Sequence, residues 1–228
     1  MADHQTATSP PPNAVAPLPV VGDPAPATPE LGLPRGKPTL LWSASADKPV
    51  AERTFRALAA LSAERPQLAC IAVACATREA ADRWIAEVGG AWETEVVVDD
   101  TADRPLYARW GLGLATAWQL WNPRALYATV ALGRREGIWA RPTPATNTDG
   151  RRWQQGGAFA VDAAGIVRWV HVPAATDDLV DFNPVLQMFG LPELSRRTRR
   201  GSSASPSLSP RPSSTLGHPA ADPIRYLE

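Results

Sequence analysis

The sequence predicts an α/β domain with a central mixed sheet flanked by helices and a helical insertion ahead of a closing strand, strand and helix. Three observations carry this. Between residues 39 and 99, apolar runs of strand length alternate with amphipathic runs of helix length, an order that builds parallel strands joined by right-handed crossovers. The run at 68–75, LACIAVAC, contains no polar side chain, as in strands buried on both faces. Two further short runs, 157–161 and 166–171, flank Asp-Ala-Ala-Gly and read as an antiparallel hairpin.

The elements follow in order. Residues 1–20 are rich in Pro, Ala, Ser and Thr with few large apolar side chains; they cannot offset the entropy of ordering and are expected to be disordered. The domain is expected over 21–192, entered through the Pro-rich extended stretch VGDPAP at 21–26 and a turn at 31–37, since each proline biases its predecessor to extended geometry. The first strand is 39–43, followed by a loop at 44–48 and a helix opening at Pro49, with Val50, Phe55, Leu58 and Leu61 on its apolar face. Thr77 is the natural cap of a second helix, which carries Ala81, Trp84, Ile85 and Val88 on one face and ends at Gly89-Gly90. A third strand, EVVVD, spans 95–99. The insertion comes next, with a short helix at 105–110 stopped by Gly111, another at 115–121, and a third opened by Asn122-Pro123 and running to about residue 136. A long polar loop at 137–155 precedes the hairpin, and loops of that length inside a domain are often functional. A closing helix is expected at 176–188, ended by Leu191-Pro192, and residues 193–228 revert to Ser, Pro and Arg, a second disordered tail.

Composition narrows the function classes. The net charge is zero, but from residue 195 onward six arginines face only Asp222 and Glu228, leaving that tail at +4 and the rest at −4. A near-neutral body offers no footprint for nucleic acid. The Arg196–Arg200 cluster is compatible with a nuclear-import signal or with a solvated tail. Only Lys37 and Lys48 are lysines among 23 basic residues, a compositional bias that removes weight from any single arginine. Cys70 and Cys75 lie on one expected strand, where a rise of ~3.3 Å per residue holds their Cα atoms ~16 Å apart, too far for a disulfide. Two unpaired thiols fit a reducing compartment. No apolar run approaches a membrane span and the N-terminus lacks a leader pattern, so a cytoplasmic protein is expected.

Chemistry is expected where the first strand delivers its loop to the helix at Pro49. Unpaired N–H groups and the helix dipole stabilise negative charge there, including a thiolate. Yet the loop, Ala-Ser-Ala-Asp-Lys, contains no Cys, His or Gly-rich cradle.

Several stretches carry a family resemblance. Strand–helix units followed by a hairpin and a last helix are the order of a thioredoxin-like domain. VGDPAP at 21–26, PVAERTFR at 49–56, TREAADRW at 77–84, YARWGLG at 107–113 and RWQQGGAFAVD at 152–162 together resemble the peroxiredoxin-like AhpC/TSA family (alkyl hydroperoxide reductase and thiol-specific antioxidant), over about residues 21–188. The resemblance implies thiol-dependent peroxide reduction without a cofactor. It also implies that the reactive cysteine, in a Gly-Cys-Pro step, should stand where this chain has Lys48, with Asp47 in place of the glycine. Neither a hydroxyl nor an ammonium cleaves an O–O bond usefully at neutral pH. Lys48 thus marks a vacated catalytic position, the mark of a pseudoenzyme, and a solvated loop lysine is the plain reading of it. Cys75 is the second candidate: its strand should lie beside the first, and the helix near Thr77 would lower its pKa. Against this, buried cysteine is a common packing residue. Arg152 matches a position from which a basic group can reach the loop and could hold an anion there, and a solvated loop arginine is the plain reading of it. Trp110, Trp118, Trp121, Trp139 and Trp153 could line a pocket or form the cover of the insertion. His171 has no second ligand at metal spacing. The expected partner is a protein or small molecule at the former active face, with scaffolding through the tails as the alternative.

Overall fold

A computed structural model describes residues 15–44, 49–114, 134, 154–174, 178–194 and 224–226. Strands β1 (Thr39–Ala44), β2 (Ala69–Ala74) and β3 (Glu95–Val98) alternate with helices α1 (Pro49–Glu64) and α2 (Arg78–Val88), and α3 (Pro105–Arg109) follows. The hairpin is β4 (Gly157–Val161) and β5 (Val167–His171); helix α4 (Asn183–Met188) and strand β6 (Ile224–Tyr226) complete the described elements. Among the described residues the sheet has six strands, in the order β5-β4-β1-β2-β3-β6. β1, β2, β3 and β6 pair in parallel, whereas β4 runs antiparallel to β1 and β5 antiparallel to β4. This is a mixed sheet.

Local chemistry explains the element ends. The Thr77 hydroxyl accepts from the Ala80 N–H at 3.3 Å, and Gly89, in the left-handed region at φ 106°, closes α2. At the hairpin, Asp162 Oδ1 accepts from the N–H groups of Ala164 and Ile166, both at 2.9 Å, while its Oδ2 takes the Arg168 Nε–H at 2.7 Å. One carboxylate thereby sets the turn.

Side-chain alternation assigns the two faces. Leu41, Ile71, Val73, Val97, Phe159 and Val161 form one core with Leu31, Leu106, Tyr107, Trp110 and Leu112, so α3 and the segments beside it cover that face. The opposite face meets α1 and α2: Trp42, Phe55 and Trp84 pack in sequence, with ring centroids 6.2 and 4.9 Å apart, over Ala72 and Val96.

Three expectations change. Residues 15–20, assigned to the first tail, lie on the body: the Ala16 N–H donates to Ala108 O at 2.9 Å. Residues 224–226, assigned to the second tail, form β6. The closing helix opens at Asn183 rather than 176, with residues 178–182 non-helical. Pro184 explains this, because it fits the first turn of a helix but would break an interior hydrogen bond and clash one turn back. The chain divides into Met1–Val180 with Pro223–Glu228, and Asp181–Asp222. Within the latter, the Asn183 N–H donates to Asp181 Oδ1 at 3.0 Å and the Leu194 N–H to Asn183 Oδ1 at 2.9 Å. The expected helices at 115–121 and 122–136 and the loop at 137–155 fall almost wholly outside the described residues; Arg134 alone among 115–153 is described, and it is helical.

Candidate functional site at the carboxyl ends of the parallel strands

Ala44 of β1 pairs with Ala74 of β2, and Ala74 with Val98 of β3, so three parallel strands end level. The residues that follow them are 45–48, Cys75 and Asp99. In open sheets with parallel strands this edge is where ligands bind. Residues 45–48, including Asp47 and Lys48, and also Arg152, Trp118, Trp121, Trp139 and Trp153, lie outside the described residues.

What the structure does bring together is a buried polar cluster beneath α3. Asp99 is completely buried. Its Oδ1 accepts from Thr101 Oγ1 at 2.8 Å, and its Oδ2 from the Leu106 N–H at 3.1 Å. The Tyr107 N–H adds a further bond. These are first-turn donors of α3, whose own cap residue, Arg104, makes no side-chain cap bond and sits at φ 45°. Asp99 therefore caps α3 from outside the helix. Burial raises its pKa, against the pull of those bonds and of the Arg104 charge.

Tyr107 turns back into the sheet. Its hydroxyl donates to Val73 O at 3.0 Å and hydrogen-bonds the Cys75 backbone. Burial, and then the neighbouring Cys75 and Asp99, push the phenol well above its usual pKa, so it remains a neutral donor. Gln154 closes the far side: its Nε2 donates to the carbonyls of Leu112 and Gly113, both at 3.0 Å, and its Oε1 accepts from Arg104 at 3.3 Å.

Cys75 lies inside this cluster, 1% exposed and packed in the core with Tyr107. It stands at the carboxyl edge, as its place on the strand predicts, but under the cover of α3. Cys70 lies toward the opposite end of β2, also buried, and burial pushes its thiol up to about 12 despite the attraction of Lys37. Neither forms a disulfide. His171 pairs with Asp178 at 3.6 Å, and no group of three potential metal ligands exists among the described residues. Trp110 packs against Phe159 at 4.7 Å, its indole N–H donating to Thr28 Oγ1 at 3.4 Å; it is core rather than pocket lining.

Asp99, Arg104, Tyr107 and Gln154 were not singled out by the sequence reading. One signal pointed to them: an acidic residue ending an apolar strand, with Pro105 six residues on, is the pattern of a carboxylate that can reach the start of the next helix.

The described elements make a thioredoxin-like α/β fold. Among solved structures, a thiol peroxidase from Chromobacterium violaceum aligns with a TM-score of 0.51 at 16% identity, covering 78% of this chain and 89% of that one. A peroxiredoxin-like protein from Aquifex aeolicus aligns with a TM-score of 0.48 at 14% identity, covering 77% and 89%. Residues 55–174, more than half of the chain, match the family described as AhpC/TSA antioxidant enzyme, and the chain belongs to that family. The matched span begins downstream of Lys48. A comparison with curated proteins finds no match.

Proposed function

We propose that this chain is a member of the AhpC/TSA family that no longer reduces peroxides and uses the carboxyl edge of its sheet to bind a protein or small-molecule partner. The observation that carries this reading is the placement of its sulfur. Thiol-dependent peroxide reduction requires a thiolate to attack the O–O bond, becoming a sulfenic acid as water leaves from hydrogen peroxide or an alcohol from an organic hydroperoxide, and that thiolate must be reachable and of low pKa. The chain has two cysteines, 70 and 75. Both are buried in the core around β2, one with its thiol pushed up to about 12. The position ahead of Pro49 holds Lys48, whose amine cannot replace a thiolate.

The purified full chain is expected to consume hydrogen peroxide or an organic hydroperoxide no faster than buffer, with thioredoxin or glutathione systems as reductant. A rate above buffer that Cys75→Ser abolishes would overturn the proposal and make Cys75 the working thiol.

A further inference from the structure

β3 consists of Glu95, Val96, Val97 and Val98, and without a further strand it would end the sheet. An edge of three consecutive valines with open backbone groups recruits foreign strands. That edge is occupied here by β6, which pairs in parallel through Val96 with Ile224, Val97 with Arg225 and Val98 with Tyr226. A parallel neighbour needs a long connection rather than a tight turn, and residues 195–223 separate β6 from the last described residue of the α4 segment. Among the described residues no hairpin fixes its register. Pro223, immediately ahead, has no N–H to give a ladder, which limits β6 at that end. A strand of three paired residues at a sheet edge is the kind of local unit that opens more readily than core strands.

We infer that the outer edge of β3 is a strand-acceptor site, filled in cis by the chain's own C-terminal strand and able to take an extended peptide of the same sequence type entering parallel to β3. The ligand class is a short strand-forming segment that pairs a β-branched residue and an aromatic one with Val96 and Val98. Because β6 runs parallel, Tyr226 stands level with Val98, one residue before Asp99. The occupant of this edge therefore ends on the same side of the sheet as Cys75 and Asp99. The inference is independent of whether the chain reduces peroxide.

The test uses the full chain and a fluorescein-labelled synthetic peptide of residues 221–228. The cis strand belongs to the same chain, so it competes with the free peptide. In full-chain Arg225→Pro the fixed φ and the missing N–H disfavour the cis strand, and the peptide should bind at least about tenfold more tightly than to the unmodified chain. A peptide carrying the same proline should not bind. Hydrogen exchange over residues 95–98 should accelerate in the variant and slow again on addition of the peptide. The double variant Ile224→Gly with Tyr226→Gly weakens the strand without a proline and must behave alike. Equal peptide affinity for the unmodified chain and both variants, equal binding of the proline peptide, or unchanged exchange at β3 overturns the inference.

Discussion

Replacing Gly111 by alanine sets two costs against each other, and Gly165 provides the control. Both glycines have positive φ, +72° and +84°. A Cβ at Gly165 would meet nothing within 4 Å, whereas at Gly111 it would stand 2.6 Å from Leu18 Cα and 2.7 Å from Leu18 N. Alanine at 165 therefore incurs only left-handed strain, about 1–2 kcal/mol. Alanine at 111 incurs the same strain and must also drive the backbone at Pro17 and Leu18 away, because no side-chain rotation relieves a clash with main chain. The retreat loosens the Ala16 to Ala108 hydrogen bond, 2.9 Å long, and a bond of that kind contributes about 1 kcal/mol. The total expected for Gly111→Ala is about 2–3 kcal/mol. Urea unfolding of both variants gives the difference, and exchange at the Ala16 amide shows whether residues 15–20 have lifted. If Gly111→Ala is no more destabilising than Gly165→Ala, or if the Ala16 amide keeps its protection, the reasoning that places this segment on α3 is wrong.

Two further outcomes follow from the polar cluster. Tyr107→Phe removes the hydroxyl that donates to Val73 O and should cost about 1–3 kcal/mol in urea unfolding, since the carbonyl loses a buried partner; a loss near zero would mean that the bond is replaced. The raised carboxyl of Asp99 favours the folded state fully below its unfolded value of about 3.9, and that contribution is lost as pH rises through the native value. The stability of the unmodified chain relative to Asp99→Asn should therefore fall with pH across that window, as read by urea titrations from acid to neutral pH; a difference independent of pH would remove the shift.

Most of the frame was legible in the sequence because its signals are local. The apolar run around Ile71 and Val73 is a buried strand, Thr77 and Gly89 bound α2, and Asp162 to Gly165 turns the hairpin. The start of α4 was legible too, in Pro184, but the apolar residues ahead of it masked the break. The candidate site was read only in part. Cys75 follows directly on the end of β2, and its cover depends on Tyr107, whose hydroxyl meets a carbonyl 34 positions away.

By itself the sequence determined the order of β1 to β5 with α1, α2 and α3, the caps and turns that bound them, and the absence of a cysteine immediately ahead of Pro49. Those rest on periodicity and on bonds between residues a few positions apart. Only the tertiary structure decided that Asp99 caps α3, that residues 15–20 run across Gly111, and that Ile224–Tyr226 closes the sheet beside β3. Each of these depends on which surface another segment leaves uncovered, and that is fixed by the packed sheet rather than by any stretch of chain.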